Sequence, residues 1–257
     1  GNKTLLMADF EALCQQEEVL QSASTILQYL HDTGVLYHRQ NYFDNRIILN
    51  QGWAIEAIYK ILDRESDYAE VLLQQEGRLD YEDLCSIWQD NRDDERGLFM
   101  DFMVSTELCF EVTQNKEYNT PLKERSFVVP AFLPPHKTEE VLYWEAVQNM
   151  GAFEAQINYR FLPSVFVQRF IVKAHRFSKV ELMWQKGILL ESEQGFAVVE
   201  ADYSRREILI RATDGRLVDR IKEELDMIAN EGKIKAQVSR GEEDVLRHNE
   251  KFMKGLA

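Results

Sequence analysis

Ile157-Asn158-Tyr159-Arg160-Phe161-Leu162-Pro163 runs into Phe166, Arg169-Phe170-Ile171 and His175, and is followed by Trp184-Gln185-Lys186-Gly187-Ile188-Leu189-Leu190. Phe153, Ala155, Ile157, Tyr159 and Phe161 alternate strictly, which places all five on one face of a strand. Pro163 ends that strand and suits the first turn of a helix, where its missing N–H costs nothing. Phe166, Phe170, Ala174 and Phe177 then recur as one helical stripe. Three strand candidates follow, 187–192, 196–201 and 206–212, with turns at Glu193-Gln194-Gly195 and Asp202-Tyr203-Ser204-Arg205. Asp214-Gly215 opens a last helix with Leu217, Val218, Ile221, Leu225 and Ile228 on one side. Strand, helix, three-stranded antiparallel meander and helix make an α+β layer.

The chain ahead of this layer reads differently. Leu13, Leu20, Leu27 and Leu30 recur at helical spacing and predict one helix over 5–31, stopped by Gly34. Val35-Leu36-Tyr37 and Ile47-Ile48-Leu49 flank a polar turn and predict a β-hairpin. Helices are predicted from Trp53 to Leu62, near 65–75, over 80–89 and over 93–104, and a strand from Val104 to Val112. Helices interleaved with small hairpins give a mainly α, winged-helix-like arrangement. Thr113 to Pro135 holds four of the five prolines and reads as a packed connector, because proline removes an amide donor and disfavours helix before it. The chain therefore divides into two subdomains, 1–129 with the connector and 130–257, the latter ending in a charged helical tail over 231–257.

Charge supports that division. Residues 1–129 hold 11 Lys+Arg and 24 Asp+Glu, net -13, while residues 130–257 hold 19 and 20, net -1. So anionic a first half repels nucleic acid and anionic lipid. Cys14, Cys85 and Cys109 are odd in number, far apart and without CxxC spacing, a poor disulfide framework and a poor zinc site. Unpaired thiols fit a reducing cytosol, so a cytoplasmic location is expected. No run approaches the length of a membrane span. Gly1 stands where an initiator Met is expected, which suggests a piece of a longer protein.

Several short motifs resemble the COR domain, the module that follows the Ras-like Roc GTPase in Roco proteins. In the first half these are Tyr29-Leu30-His31-Asp32-Thr33-Gly34-Val35, Ile47-Ile48-Leu49-Asn50-Gln51-Gly52-Trp53, Gly77-Arg78-Leu79, and Leu84 with Ile87-Trp88. Gln51-Gly52 departs from the family, which often has proline after the asparagine. Val128-Val129-Pro130-Ala131 is similar to the family's connector, and 153–228 is similar to its B-subdomain. The resemblance implies a relative of the leucine-rich repeat kinases, prokaryotic in type. It implies a fragment that is not itself an enzyme, dimerises mainly through the B-subdomain, and clamps the Roc domain of the same chain. GTP or GDP with Mg²⁺ belongs on that Roc domain, and no cofactor is expected on these residues.

The motifs agree with that expectation. There is no GxxxxGK[ST] phosphate loop, GxSxG elbow or HExxH pair. The five histidines show no metal spacing, and each reads as solvated or hydrogen-bonded. Asp93-Asp94-Glu95 and Glu242-Glu243-Asp244 read as helix starts, where negative charge is favourable. The meander is apolar on more than one face, so Trp184, Leu189, Phe196 and Val198 are either core or a dimer contact. Arg205 and Arg206, with Arg216, read as an exposed turn and helix surface or as charge offered to a neighbouring GTPase. Two further readings stay open: a winged-helix nucleic-acid-binding regulator, which lacks a basic surface, and a free-standing enzyme, which lacks a catalytic constellation.

Overall fold

The computed structural model of the chain describes residues 2–17, 21–40, 42–112, 120–148, 151–232 and 236–237. Its internal contacts divide it into Gly1–Phe132 and Leu133–Ala257.

In the first unit, β1 (Thr4–Leu6) precedes α1 (Met7–Gln16) and α2 (Ala23–Asp32). The single helix expected over 5–31 is thus a strand and two helices. Thr4–Leu6 is extended because it pairs antiparallel with β2 (Arg46–Ile48), and Ser22 starts a new helix by accepting the Thr25 N–H at 3.2 Å. Tyr37 and Ile48 do meet, but only as a lone bridge on the edge of β2 opposite β1. The helices α3 (Gln51–Leu62), α4 (Ala69–Gln74), α5 (Tyr81–Ile87) and α6 (Asp93–Ser105) follow, with β3 (Arg78–Leu79) before α5. Asn50 caps α3 through the Trp53 N–H, and Asp80 and Asp83 form a capping box on α5. Asp93-Asp94-Glu95 opens α6, as its charge predicts. Helix α6 runs on to Ser105, and Glu107 then turns the chain through a left-handed φ of 60°, so little of 104–112 is strand. Only β4 (Phe110–Glu111) pairs there, with β5 (Phe127–Val128), which also pairs with β3. Of the connector expected over 113–135, residues 113–119 lie outside the described residues, and Phe127, Val128, Val129, Phe132 and Leu133 are buried. Trp88, Phe99, Met103 and Phe127 lie in one core cluster with Ile58, Ile61 and Leu84.

The second unit begins with α7 (Glu139–Val147), a helix that the sequence reading did not assign. Strand β6 (Phe153–Tyr159) and helix α8 (Ser164–Ala174) follow, with Pro163 at the N-cap. Then come β7 (Met183–Trp184), β8 (Gly187–Ser192), β9 (Gly195–Asp202), β10 (Glu207–Ala212), α9 (Gly215–Glu231) and β11 (Ala236–Gln237). The strands form one antiparallel sheet in the order β11-β6-β10-β9-β8-β7. Both expected turns and all three meander strands are found, whereas Ala236–Gln237 is strand rather than helical tail; residues 238–257 lie outside the described residues. Helices α8 and α9 pack together and against the sheet, covering one of its faces.

Two local devices fix this layer. Gly187 admits no side chain: a Cβ would lie 2.2 Å from the Val199 carbonyl oxygen and 2.5 Å from the Trp184 indole. Asp214 caps α9, accepting the Arg216 N–H at 2.8 Å and pairing with its guanidinium at 2.8 Å. These bonds hold its carboxyl at about 2, against an ordinary 3.8. The folded value is depressed, so the stabilisation is present above the unfolded value and is lost as pH falls through the folded one. Acid titration of the urea midpoint should therefore show a loss between pH 3.8 and about 2 that is smaller in Asp214→Asn.

Candidate functional site

The alternation of β8 and β9 sends neighbouring side chains to opposite faces. Ile188 pairs with Val199 and Leu190 with Ala197, on the face that α8 and α9 cover. Leu189 pairs with Val198 on the other face, where both join Trp184, Leu182 and Val141 of α7 in one buried cluster. Phe196 lies at the margin, half-buried, and its ring stacks on Trp144 of α7 at 5.2 Å and 24°. The four residues singled out as core or dimer contact thus converge on one patch. Three of them, Trp184, Leu189 and Val198, are buried by the chain's own α7.

Polar groups hold α7 in place. Thr138 accepts the Val141 N–H at 3.3 Å and donates to the Glu181 carbonyl at 2.8 Å, so one side chain caps the helix and ties it to the segment entering β7. The Lys137 ammonium lies 3.0 Å from Glu145, 2.8 Å from Glu200 and 5.4 Å from the centre of the Trp184 ring. Arg211 reaches the same two carboxylates. Two cations therefore alternate with two carboxylates across the seam between α7 and the sheet. Each is partly screened from water, which strengthens such pairs over fully exposed ones. The outward side of α7 is apolar as well: Leu142, Tyr143 and Val147 are 53%, 62% and 56% exposed.

Arg205 and Arg206 stand elsewhere. They occupy the β9–β10 turn, at the far end of β9 from Phe196, about 20 Å away at the usual rise of a strand. Arg205 is 73% exposed and lies 3.6 Å from both Asp202 and Glu207. Arg206 has a left-handed φ of 58° and donates to the Arg160 carbonyl at 3.3 Å. Asp202 accepts from the Ser204 hydroxyl and from the Ser204 and Arg205 N–H groups, which lowers its pKa and makes the turn rigid. Arg216 is taken up by Asp214. Among the described histidines, His31 Nδ1 accepts the His38 N–H, and His175 Nδ1 lies 2.6 Å from the Val172 carbonyl. No group of three or more His, Cys, Asp or Glu side chains among the described residues is placed to hold a metal ion. No helix among them is long and apolar enough to cross a membrane.

The family models agree with the division into two units. The COR-A domain (C-terminal of Roc) matches residues 1–133, and the COR-B domain (C-terminal of Roc) matches residues 150–251. The chain belongs to the COR family. This COR chain is also similar to a Roc-COR-CHAT protease of Runella zeae, 24% identical over 224 residues. That match covers 83% of the chain but only 22% of the relative's length. Helix α7 lies between the two matched COR stretches, so the cover over the patch belongs to neither.

Proposed function

We propose that this chain is the non-catalytic dimerisation and regulatory module of a Roco GTPase, packing on the Roc G domain and coupling self-association to its GTP/GDP cycle. The match of COR-A and COR-B to both units carries the reading. The relative whose name joins Roc and COR supports a G domain in the same polypeptide. These residues carry no GxxxxGK[ST] motif, which is consistent with nucleotide binding on that domain.

Self-association uses the α7 edge of the second unit: Phe196 with Trp144, and beside them the apolar outer side of α7. Trp184, Leu189 and Val198 contribute from beneath by setting the seat of α7. The loosely held guanidinium of Arg205, with Arg206 next to it, faces the GTPase, where an arginine adds positive charge near phosphate. The three free thiols fit a reducing, cytoplasmic setting. Nucleic-acid binding is opposed by the net charge of -13 over residues 1–129, and retention on DNA at low salt would revive it.

The test is Phe196→Asp in a chain that carries both Roc and COR. Loss of the dimer together with a changed rate of GTP hydrolysis is the expected result. A lost dimer with unchanged hydrolysis would contradict the coupling.

A further inference from the structure

Strands β6 and β10 are antiparallel, and α8 follows the end of β6 while α9 follows the end of β10. The two helices therefore start at opposite ends of the sheet and run antiparallel across it. Beyond Ala174 the chain leaves α8 through a 3-10 turn at His175–Phe177, and a groove of about 420 Å³ opens between this turn, α9 and the end of β8. That volume lies in the range of small-molecule sites. Phe170, Ala174, Leu190, Leu217 and Ile221 line it with apolar surface. Two large apolar side chains at the groove stay open to water, Phe177 at 39% and Met227 at 48%. Met227 is the exception on its helix, because Leu217, Val218, Ile221, Leu225 and Ile228 are all buried.

The charges at the groove are unequal in their commitments. Lys173 is engaged by Glu231. Arg176 lies over the Phe177 ring at 5.0 Å, and neither Arg176 nor Arg220 has a carboxylate partner among the described residues. Because the helices are antiparallel, Arg176 lies toward the Arg220 end of the groove. Glu223 and Glu224 line it one turn further along α9 and oppose a second negative charge.

We propose that this groove binds a small amphiphile with a single carboxylate, its apolar chain along Phe170, Leu190, Leu217 and Ile221 and its carboxylate at Arg176 and Arg220. An apolar trough supplies affinity by burial, while a guanidinium pair selects the anionic head.

The experiment is titration of the 257-residue chain with octanoate, octan-1-ol and octyltrimethylammonium, read from amide chemical shifts. Saturable shifts at α8 and α9 with octanoate are expected. The double variant Arg176→Glu, Arg220→Glu should weaken octanoate binding at least about tenfold, the loss expected when a charge-assisted hydrogen bond is removed. Both sites are exposed, so the variant should fold, and its unshifted core amides would confirm that it does. Equal binding of octan-1-ol, an unchanged affinity in the variant, or no saturation would each overturn the proposal. Shifts at these residues that follow protein concentration instead of octanoate would give the groove to a second copy and overturn it as well.

Discussion

Trp184→Ala should lower the stability of the second unit by about 3–5 kcal/mol, the loss typical of a large aromatic side chain removed from a packed core. The indole is almost wholly buried, with Val141, Leu182, Leu189 and Val198 in its cluster and the Lys137 ammonium above its ring. Its removal opens a cavity beneath α7 and takes a cation–π partner from Lys137. Gly187 also backs onto the indole and has no side chain to fill the space that truncation leaves. Urea unfolding of wild type and variant over a range of protein concentrations, starting at a dilution that suppresses self-association, measures the effect. A loss that is the same at every protein concentration assigns Trp184 to the core. A loss that appears only at high concentration would assign it to an interface.

Trp88→Ala should cost the first unit a similar amount, again about 3–5 kcal/mol. Trp88 is fully buried, its ring lies 5.0 Å from Phe99, and its Nε1–H donates to the Ala57 carbonyl at 3.0 Å. Truncation therefore leaves a cavity among α3, α5 and α6 and removes a buried donor from a helical carbonyl. Trp88→Phe fills most of the volume but cannot donate, so it should recover part of the loss. Thermal unfolding followed by helical circular dichroism separates the two contributions. Full recovery in Trp88→Phe would show that the hydrogen bond contributes nothing.

The second unit was the more legible half because its signals are local. Period-two alternation at 153–159, turns at 193–195 and 202–205, and Asp214 before an amphipathic run each depend on neighbouring residues, and each is found. Helix α7 escaped for the opposite reason. Val141, Leu142, Tyr143, Trp144 and Val147 surround it with apolar side chains, so no stripe marks the buried side; only Thr138 before Glu139-Glu140 signalled a helix start. Strand β1 escaped because its partner lies some forty residues away, and no local pattern encodes that pairing.

The candidate site divides in the same way. That Leu189 and Val198 share a face follows from alternation, and their convergence with Trp184 and Phe196 is found. What covers them depends on α7, on the Trp144–Phe196 stack and on the Lys137–Glu145–Arg211–Glu200 cluster, all of which link residues distant in sequence. The apolar second face that suggested an interface is, for three of its residues, the seat of this helix.

The central claim is that these 257 residues contain a self-association surface. Light scattering across a wide concentration range tests it most directly. The account predicts a concentration-dependent dimer in which Phe196→Asp shifts the equilibrium toward monomer while the chain stays folded, its unfolding midpoint at high dilution lowered only by the loss of the Trp144 stack. A strict monomer over the whole range, or a dimer indifferent to Phe196→Asp, would contradict it.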